Sequence, residues 1–231
     1  MSYGELLLSF YQVLLSYREL LYSCYQVLLT GLALTMKMTA FSLIFAIILG
    51  MISCFFSISR FKVLNVISRI YVDVIRGTPL LIQAFFLYFG ITRALNFRMD
   101  ANTASIIVLS LNAGAYLSEI FRSGINAVDK GQTEAARSLG LPYGRTMSKV
   151  VLPQAIRIVI PSVVNQFIIT LKDTSILSAI GMMELTQQGK LIVARNMRAF
   201  EIYATIAVMY LIVITILSRI MKIVERRLNN D

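Results

Sequence analysis

Apolar residues run almost unbroken through residues 31–56, where Lys37 is the lone charge. As a helix this stretch is long enough to cross a hydrocarbon core of about 30 Å, which takes about 20 residues. Shorter uncharged runs recur near 77–95, 101–121, 155–177 and 200–220. Each of these must borrow flanking polar residues that snorkel, or turn part of its surface toward protein or water. The pattern predicts an all-α integral membrane protein with about five transmembrane helices. Residues 1–26 are also apolar, but Arg18 and Glu19 near the middle and several Tyr residues suit an interfacial amphipathic helix better than a sixth span. The beginning has neither a basic region nor a small-residue cleavage pattern after an apolar stretch, so a signal peptide is not expected. No Ser/Pro/Gly-rich linker or charge run divides the rest, and residues 27–231 read as one membrane domain.

A polar island interrupts this pattern at about 128–153. Thr133 is placed to cap a helix whose first turn carries Glu134, where a negative charge meets the positive end of the helix dipole, and Ala135 and Ala136 have the highest helix propensity available. Gly140 suits the left-handed residue that ends such a helix. Pro142 fits the first position of a second short helix, and Pro153 is expected to close that segment. The prediction is helix, tight turn, helix, against the alternative of an ordinary solvated loop.

Composition agrees with a membrane location. The chain is 57% apolar and 15% charged, has no His and no Trp, and its mean hydropathy is +0.73; soluble domains carry about 25% charged residues. The net charge of +10 follows from topology. With residues 57–78, 122–157 and 219–231 on one side, that side holds 14 Lys/Arg against 6 in residues 1–26, 91–101 and 178–200. Positive charge marks the cytoplasmic face, so the N-terminus is expected outside and the polar island and C-terminus inside, against anionic lipid headgroups. Nucleic-acid binding is not needed to account for the charge. Cys24 and Cys54 match no metal spacing and read as small buried residues, so no metal is expected.

The spacing of the island has a counterpart. Glu134-Ala135-Ala136, three residues, Gly140, nine residues, then Val150-Val151-Leu152-Pro153 resembles the signature cytoplasmic loop of ABC importer permeases, with Val150 where Ile is commoner. Further blocks resemble the polar amino acid branch of that family: Arg76-Gly77-Thr78-Pro79-Leu80-Leu81-Ile82-Gln83, Ala115-Tyr116-Leu117-Ser118-Glu119-Ile120-Phe121-Arg122, Gly131-Gln132, Leu152-Pro153-Gln154-Ala155 and Lys172-Asp173-Thr174-Ser175. The resemblance runs from about Gly31 to the C-terminus. It implies a type I importer permease fold in a bacterial plasma (inner) membrane and uptake of a polar amino acid of the histidine, glutamine, arginine or cystine kind. It also implies a second permease subunit, identical or related, an extracytoplasmic solute-binding protein, and ATPase subunits that bind ATP and Mg. Glu134, Ala135, Ala136 and Gly140 are then the residues expected to couple to the ATPase, and a substrate pocket is expected near Lys172, Asp173, Thr174 and Ser175.

The residues themselves set limits on the chemistry. Nothing matches a P-loop, because Gly189-Lys190 has Glu184 where the first Gly belongs and Leu191 where Ser or Thr must reach magnesium. Energy must come from another polypeptide, and no cofactor is expected in this chain. His is absent and no paired carboxylates flank a nucleophile, so the chain is not read as an enzyme. Charges at membrane depth cost roughly 2.5–3.5 kcal/mol each on insertion scales, so Lys37, Glu119, Lys172 and Asp173 are functional candidates. Asp173 suits an amino group; Lys37 or Lys172 suits a carboxylate. Asn112, Tyr116 and Glu119 fall at i, i+4, i+7 on one helical face, and Asn165 and Gln166 offer amides on another span. Such groups either line a cavity or hydrogen-bond between helices. The competing function is a stand-alone ion-coupled transporter or channel using Lys37, Glu119 and Asp173, although no inverted repeat is evident. A purely structural membrane subunit is a third.

Overall fold

The computed structural model describes the backbone of residues 3–229 and the side chains of Tyr11 and of residues 15–223. Among the described residues the chain is helical throughout: α1 (Tyr3–Ser57), α2 (Lys62–Arg76), α3 (Leu80–Ala94), α4 (Ala101–Ala127), α5 (Lys130–Ser138), α6 (Tyr143–Ile180), α7 (Leu185–Asn196) and α8 (Ala199–Asn229). Among the described residues four helices are long and apolar enough to cross a membrane, or five if the bent pair α2/α3 is one span. The expected spans at 31–56, 101–121, 155–177 and 200–220 lie within α1, α4, α6 and α8.

The boundaries differ from the sequence-based expectation in three places. No break separates residues 1–26 from the first span: α1 is one helix of 55 residues. The first Pro in the chain is Pro79, so no residue before Ser57 lacks the N–H a helix needs. At 1.5 Å per residue α1 is about 80 Å long, more than twice the hydrocarbon thickness, and therefore projects beyond it. Whether its first turns are amphipathic falls outside the described residues.

The expected span at 77–95 is one arm of a broken element. The axes of α2 and α3 meet at 105°. Thr78 precedes Pro79 and is disfavoured in the helical region, and Pro79 has no N–H, so α2 stops at Arg76 and α3 begins at Leu80. The carbonyls freed by the break are gathered by one side chain. Gln83 Nε2 donates to Ile75 O at 2.7 Å and to Thr78 O and Oγ1 at 2.9 Å, while its Oε1 accepts from Asn112 Nδ2 at 3.2 Å. We expect Gln83→Leu to destabilise the bend by about 1–3 kcal/mol, since it leaves these groups unsatisfied. Faster proteolysis at residues 76–80 with the protein still inserted is the measurement; an unchanged digestion rate would exclude this role.

The third difference lies in the polar island. Asp129 caps α5, accepting from Gly131 N at 2.6 Å, and Thr133 sits inside the helix. An ionised carboxylate at the first free N–H groups is a stronger partner than a hydroxyl four residues later. The end matches expectation: Gly140 has φ of +82°, Gly140 N donates to Arg137 O at 3.0 Å and Leu141 N to Ala136 O at 3.2 Å, a Schellman closure. Pro153 does not close the following segment. It lies in the first turn of the main stretch of α6, immediately after a π-helical turn at Met147–Val151 that makes room for a ring with no N–H to donate.

Packing is closest between α1 and α4. A Cβ on Gly114 would lie 3.1 Å from Leu49 Cβ and 3.3 Å from Ala46 O, so the two backbones touch through small residues, as membrane helices do. Hydroxyls add to the joint: Ser118 Oγ donates to Ser53 Oγ, Ser68 Oγ donates to Ser53 O, and Tyr71 OH reaches Leu111 O at 2.7 Å. These bonds clamp α2 to α1 and α4. Asp100 caps α4 through Thr103 N and Oγ1, and those bonds hold its carboxyl below the usual carboxylate range. Val128 at the end of α4 packs with Val151 and Ala155 of α6 in a small core beside the start of α5, and α5 itself packs on the Met147–Val151 turn.

Candidate functional site

The break between α2 and α3 opens onto α4 and α6. There a cavity of about 580 Å³ is lined by Arg76 to Leu80 from the break, by Asn112 and Tyr116 from α4, and by Gln166, Ile169 and Asp173 from α6. The bend at Pro79 is what brings Arg76, otherwise the end of an amphipathic helix, to this wall.

Four of the sequence candidates meet here. Asn112 is buried and tied to Gln83; Gln166 is 4% exposed and its amide makes no hydrogen bond among the described residues. Asp173 is half-buried and forms no ion pair within 4 Å among them. Tyr116 presents its ring to the Arg76 guanidinium at 5.1 Å. Glu119 lies one turn further along α4, where Arg122 holds it bidentately through Nε at 2.9 Å and Nη2 at 2.8 Å, and Arg76 Nη1 approaches at 3.4 Å. Glu119 and Tyr116 share an adjoining cavity of about 300 Å³ with Arg76.

Lys37, Asn165 and Lys172 do not line the cavity; all three are exposed on other faces. Lys172 and Asp173 are neighbours in sequence, but a helix turns consecutive residues through about 100°, so they point to different sides. Sequence reasoning missed Arg76 and Gln83 as site residues. Both stand in the Arg76-to-Gln83 block, and an Arg beside a Gly-Thr-Pro break was the available signal. Glu184 was also missed: it is fully buried and caps α7, accepting from Gln187 N at 2.7 Å, Thr186 N at 2.9 Å and Tyr210 OH at 2.9 Å. Burial pushes its carboxyl above the usual range, with these hydrogen bonds opposing the shift.

At the far end of α4 and α6 the polar island presents a second surface. Ala136 is buried, while Glu134, Ala135, Arg137 and Leu139 are exposed, Leu139 by 84%. Leu139 therefore lies open at the end of α5.

Residues 42–230 match the family model described as the binding-protein-dependent transport system inner membrane component. The chain belongs to that family. Among curated relatives, it is 39% identical over 201 residues to the arginine transport system permease protein ArtQ of Bacillus subtilis (strain 168), covering 87% of this chain and 92% of that one. It is 38% identical to the glutamine transport system permease protein GlnP of Escherichia coli (strain K12), covering 86% and 91%. It is 40% identical to the L-cystine transport system permease protein TcyB of Bacillus subtilis (strain 168), covering 86% and 85%. Among solved structures, it aligns with an amino acid ABC transporter crystallised with histidines at a TM-score of 0.86 and 36% identity, over 90% of this chain and 96% of that one. The methionine ABC transporter MetNI, in an inward-facing form, aligns at 0.73 with 17% identity over 88% and 97%, which speaks to the fold alone. The chain is thus a permease component with the type I importer fold.

Proposed function

We propose that this chain carries a polar amino acid across a bacterial plasma membrane as one of a pair of permease subunits, identical or related. ATPase subunits dock on the α5 handle and an extracytoplasmic solute-binding protein supplies the substrate. The observation that carries the substrate class is the cavity at the α2/α3 break, where a carboxylate, a guanidinium and two amides converge in a chain whose relatives transport arginine, glutamine and cystine. The handle supports the coupling role: α5 follows directly on α4 and packs on the Met147–Val151 turn of α6, the two helices that line the cavity, while Glu134 and Leu139 face outward. Displacement of the handle is therefore transmitted to both cavity walls as rigid helices.

The orientation follows from charge. Arg60, just past α1, stacks on Tyr143 of the handle region at 5.7 Å, which supports grouping the two basic segments on one, cytoplasmic, face. In operation, ATP binding closes the ATPase pair, draws the two handles together and rocks α4 and α6 so that the cavity opens outward. Hydrolysis returns it to the inward-open state. The nucleotide needs only to bias two arrangements of the same helices.

Purification in mild detergent tests the assembly. A stoichiometric P-loop ATPase should accompany the wild-type chain, and Glu134→Lys, which reverses charge on the handle, should lower the ATPase recovered severalfold with insertion unchanged. Normal recovery and normal uptake by that variant would sink the coupling role. Proteoliposomes holding the complex, assayed with L-arginine, L-glutamine, L-cystine and L-histidine, identify the substrate. Uptake by this chain alone without ATP would overturn the proposal in favour of an ion-coupled carrier.

A further inference from the structure

Arg76 stands where the site and the joint between helices meet, and Glu119 meets its charge only through one long contact. Its guanidinium lies 3.4 Å from Glu119 and over the Tyr116 ring, yet two-fifths of the side chain is exposed, and it borders both cavities. Glu119 does not depend on it, because Arg122 already occupies both carboxylate oxygens at 2.8 and 2.9 Å. A planar guanidinium in such a bidentate pair is the stronger partner, and the longer contact to Arg76 is the one more easily given up. Counting Arg69 and Asp73, which border the same polar pocket, the cluster of Arg69, Asp73, Arg76, Glu119 and Arg122 keeps one surplus positive charge.

The opposite wall holds the complement. Asp173 lines the same cavity without an ion-pair partner within 4 Å among the described residues, and the amide of the largely buried Gln166 beside it makes no hydrogen bond among them. The amide is not sealed in the packing but stays accessible on the cavity lining, where it is free to hydrogen-bond a ligand. A cavity with an available cation on one wall and an unpaired carboxylate on another, kept from pairing with each other, is the imprint of a zwitterion.

We propose that Arg76 receives the α-carboxylate of the transported amino acid and Gln166 hydrogen-bonds it, with Glu119 acting as a positioning residue that holds Arg76 in the empty site and releases it to the substrate. Arg122 neutralises Glu119 when Arg76 leaves. Because Arg76 is the last residue of α2, occupancy replaces a bond between α2 and α4 with one between α2 and the substrate. The joint then registers whether the cavity is filled. This rests on the reading of the cavity as the amino acid site.

Equilibrium binding to the purified complex, without the solute-binding protein, tests it. The probe is whichever of L-arginine, L-glutamine and L-cystine the complex takes up, compared with its α-carboxamide. Wild type should favour the acid at least tenfold. Arg76→Gln should weaken the acid at least tenfold and leave the carboxamide unchanged, abolishing the preference, and Arg76→Lys should restore part of it. Glu119→Gln, which removes the competing anion, should tighten the acid severalfold without affecting the carboxamide. Equal weakening of acid and carboxamide by Arg76→Gln would show a structural role and overturn the assignment, as would an acid affinity that does not change. Asp173→Asn separates the two levels. If it weakens binding while Arg76→Gln does not, the carboxylate assignment alone fails; if neither does, the cavity is not the site.

Discussion

Asp173→Asn is expected to lower amino acid uptake by about 10- to 100-fold at subsaturating substrate, since a hydrogen bond to a charged group contributes roughly 1.5–3 kcal/mol. The substitution preserves shape and volume and removes only the charge. Asp173 lies at the point where α6 tightens into the 3-10 turn Thr174–Ile180, its carboxylate on the cavity wall. No described residue forms an ion pair within 4 Å or a side-chain hydrogen bond with it, so its loss strands no direct partner and the fold should tolerate it. The measurement is uptake by proteoliposomes over a range of substrate concentrations, with recovery of the ATPase as the control. Reduced uptake that substrate excess rescues, with the ATPase still attached, places Asp173 in contact with the cargo. Unchanged uptake at low substrate would remove Asp173 from the site.

The second large effect concerns stability. Glu184→Ala is expected to cost on the order of 3–5 kcal/mol, combining a lost helix cap with buried donors left without an acceptor. The carboxylate is inaccessible to solvent and binds Thr186 N, Gln187 N and Tyr210 OH at once, fastening the start of α7 to α8. Alanine also leaves a void between helices that pack through Leu185, Ile192, Ile202 and Ile206. A marked fall in the thermal midpoint of the purified protein is the expected result, with loss of hydrogen-exchange protection confined to Leu185–Asn196. Glu184→Gln keeps the volume and one accepting oxygen and should cost less.

The pH dependence has a definite sign. Because the folded protein raises the pKa of Glu184 above the ordinary value of 4.5, the native state holds this proton more tightly than the unfolded chain. The stabilisation from that proton is complete below 4.5 and is lost as pH rises through the higher folded value. Glu184→Gln should remove this component of the pH profile. A midpoint profile identical in the variant would show that Glu184 does not titrate differently in the fold.

Several features are legible in the sequence because they depend on local chemistry. Long apolar runs specify membrane helices, since the bilayer offers no partner for an unpaired peptide group. Gly140 could be read as a left-handed terminator because few other residues tolerate positive φ. The sequence blocks from Arg76 to Ser175 marked the family. The start of the handle was misjudged by four residues, from Thr133 to Asp129, because two good caps compete and only the completed helix shows which one carries the first free N–H groups.

The site was legible in part. Asn112, Tyr116, Gln166 and Asp173 were selectable as polar residues in apolar surroundings, and they do share one cavity. Lys37, Asn165 and Lys172 satisfied the same criterion and face elsewhere, because hydropathy says that a polar group is costly in lipid but not which neighbour it faces. Arg76 and Gln83 were hidden by the 105° bend, which turns an apparent span into two arms and carries the end of α2 into the cavity wall.

The sequence by itself determined that this chain is a helical membrane permease with a polar handle, because hydrophobic length, capping and motif spacing act over a few residues at a time. Only the tertiary structure decided which charges face one another: Arg122 holds Glu119 bidentately with Arg76 at 3.4 Å, and Asp173 has no ion-pair partner within 4 Å among the described residues. Those facts depend on how helices far apart in sequence rotate and close on each other.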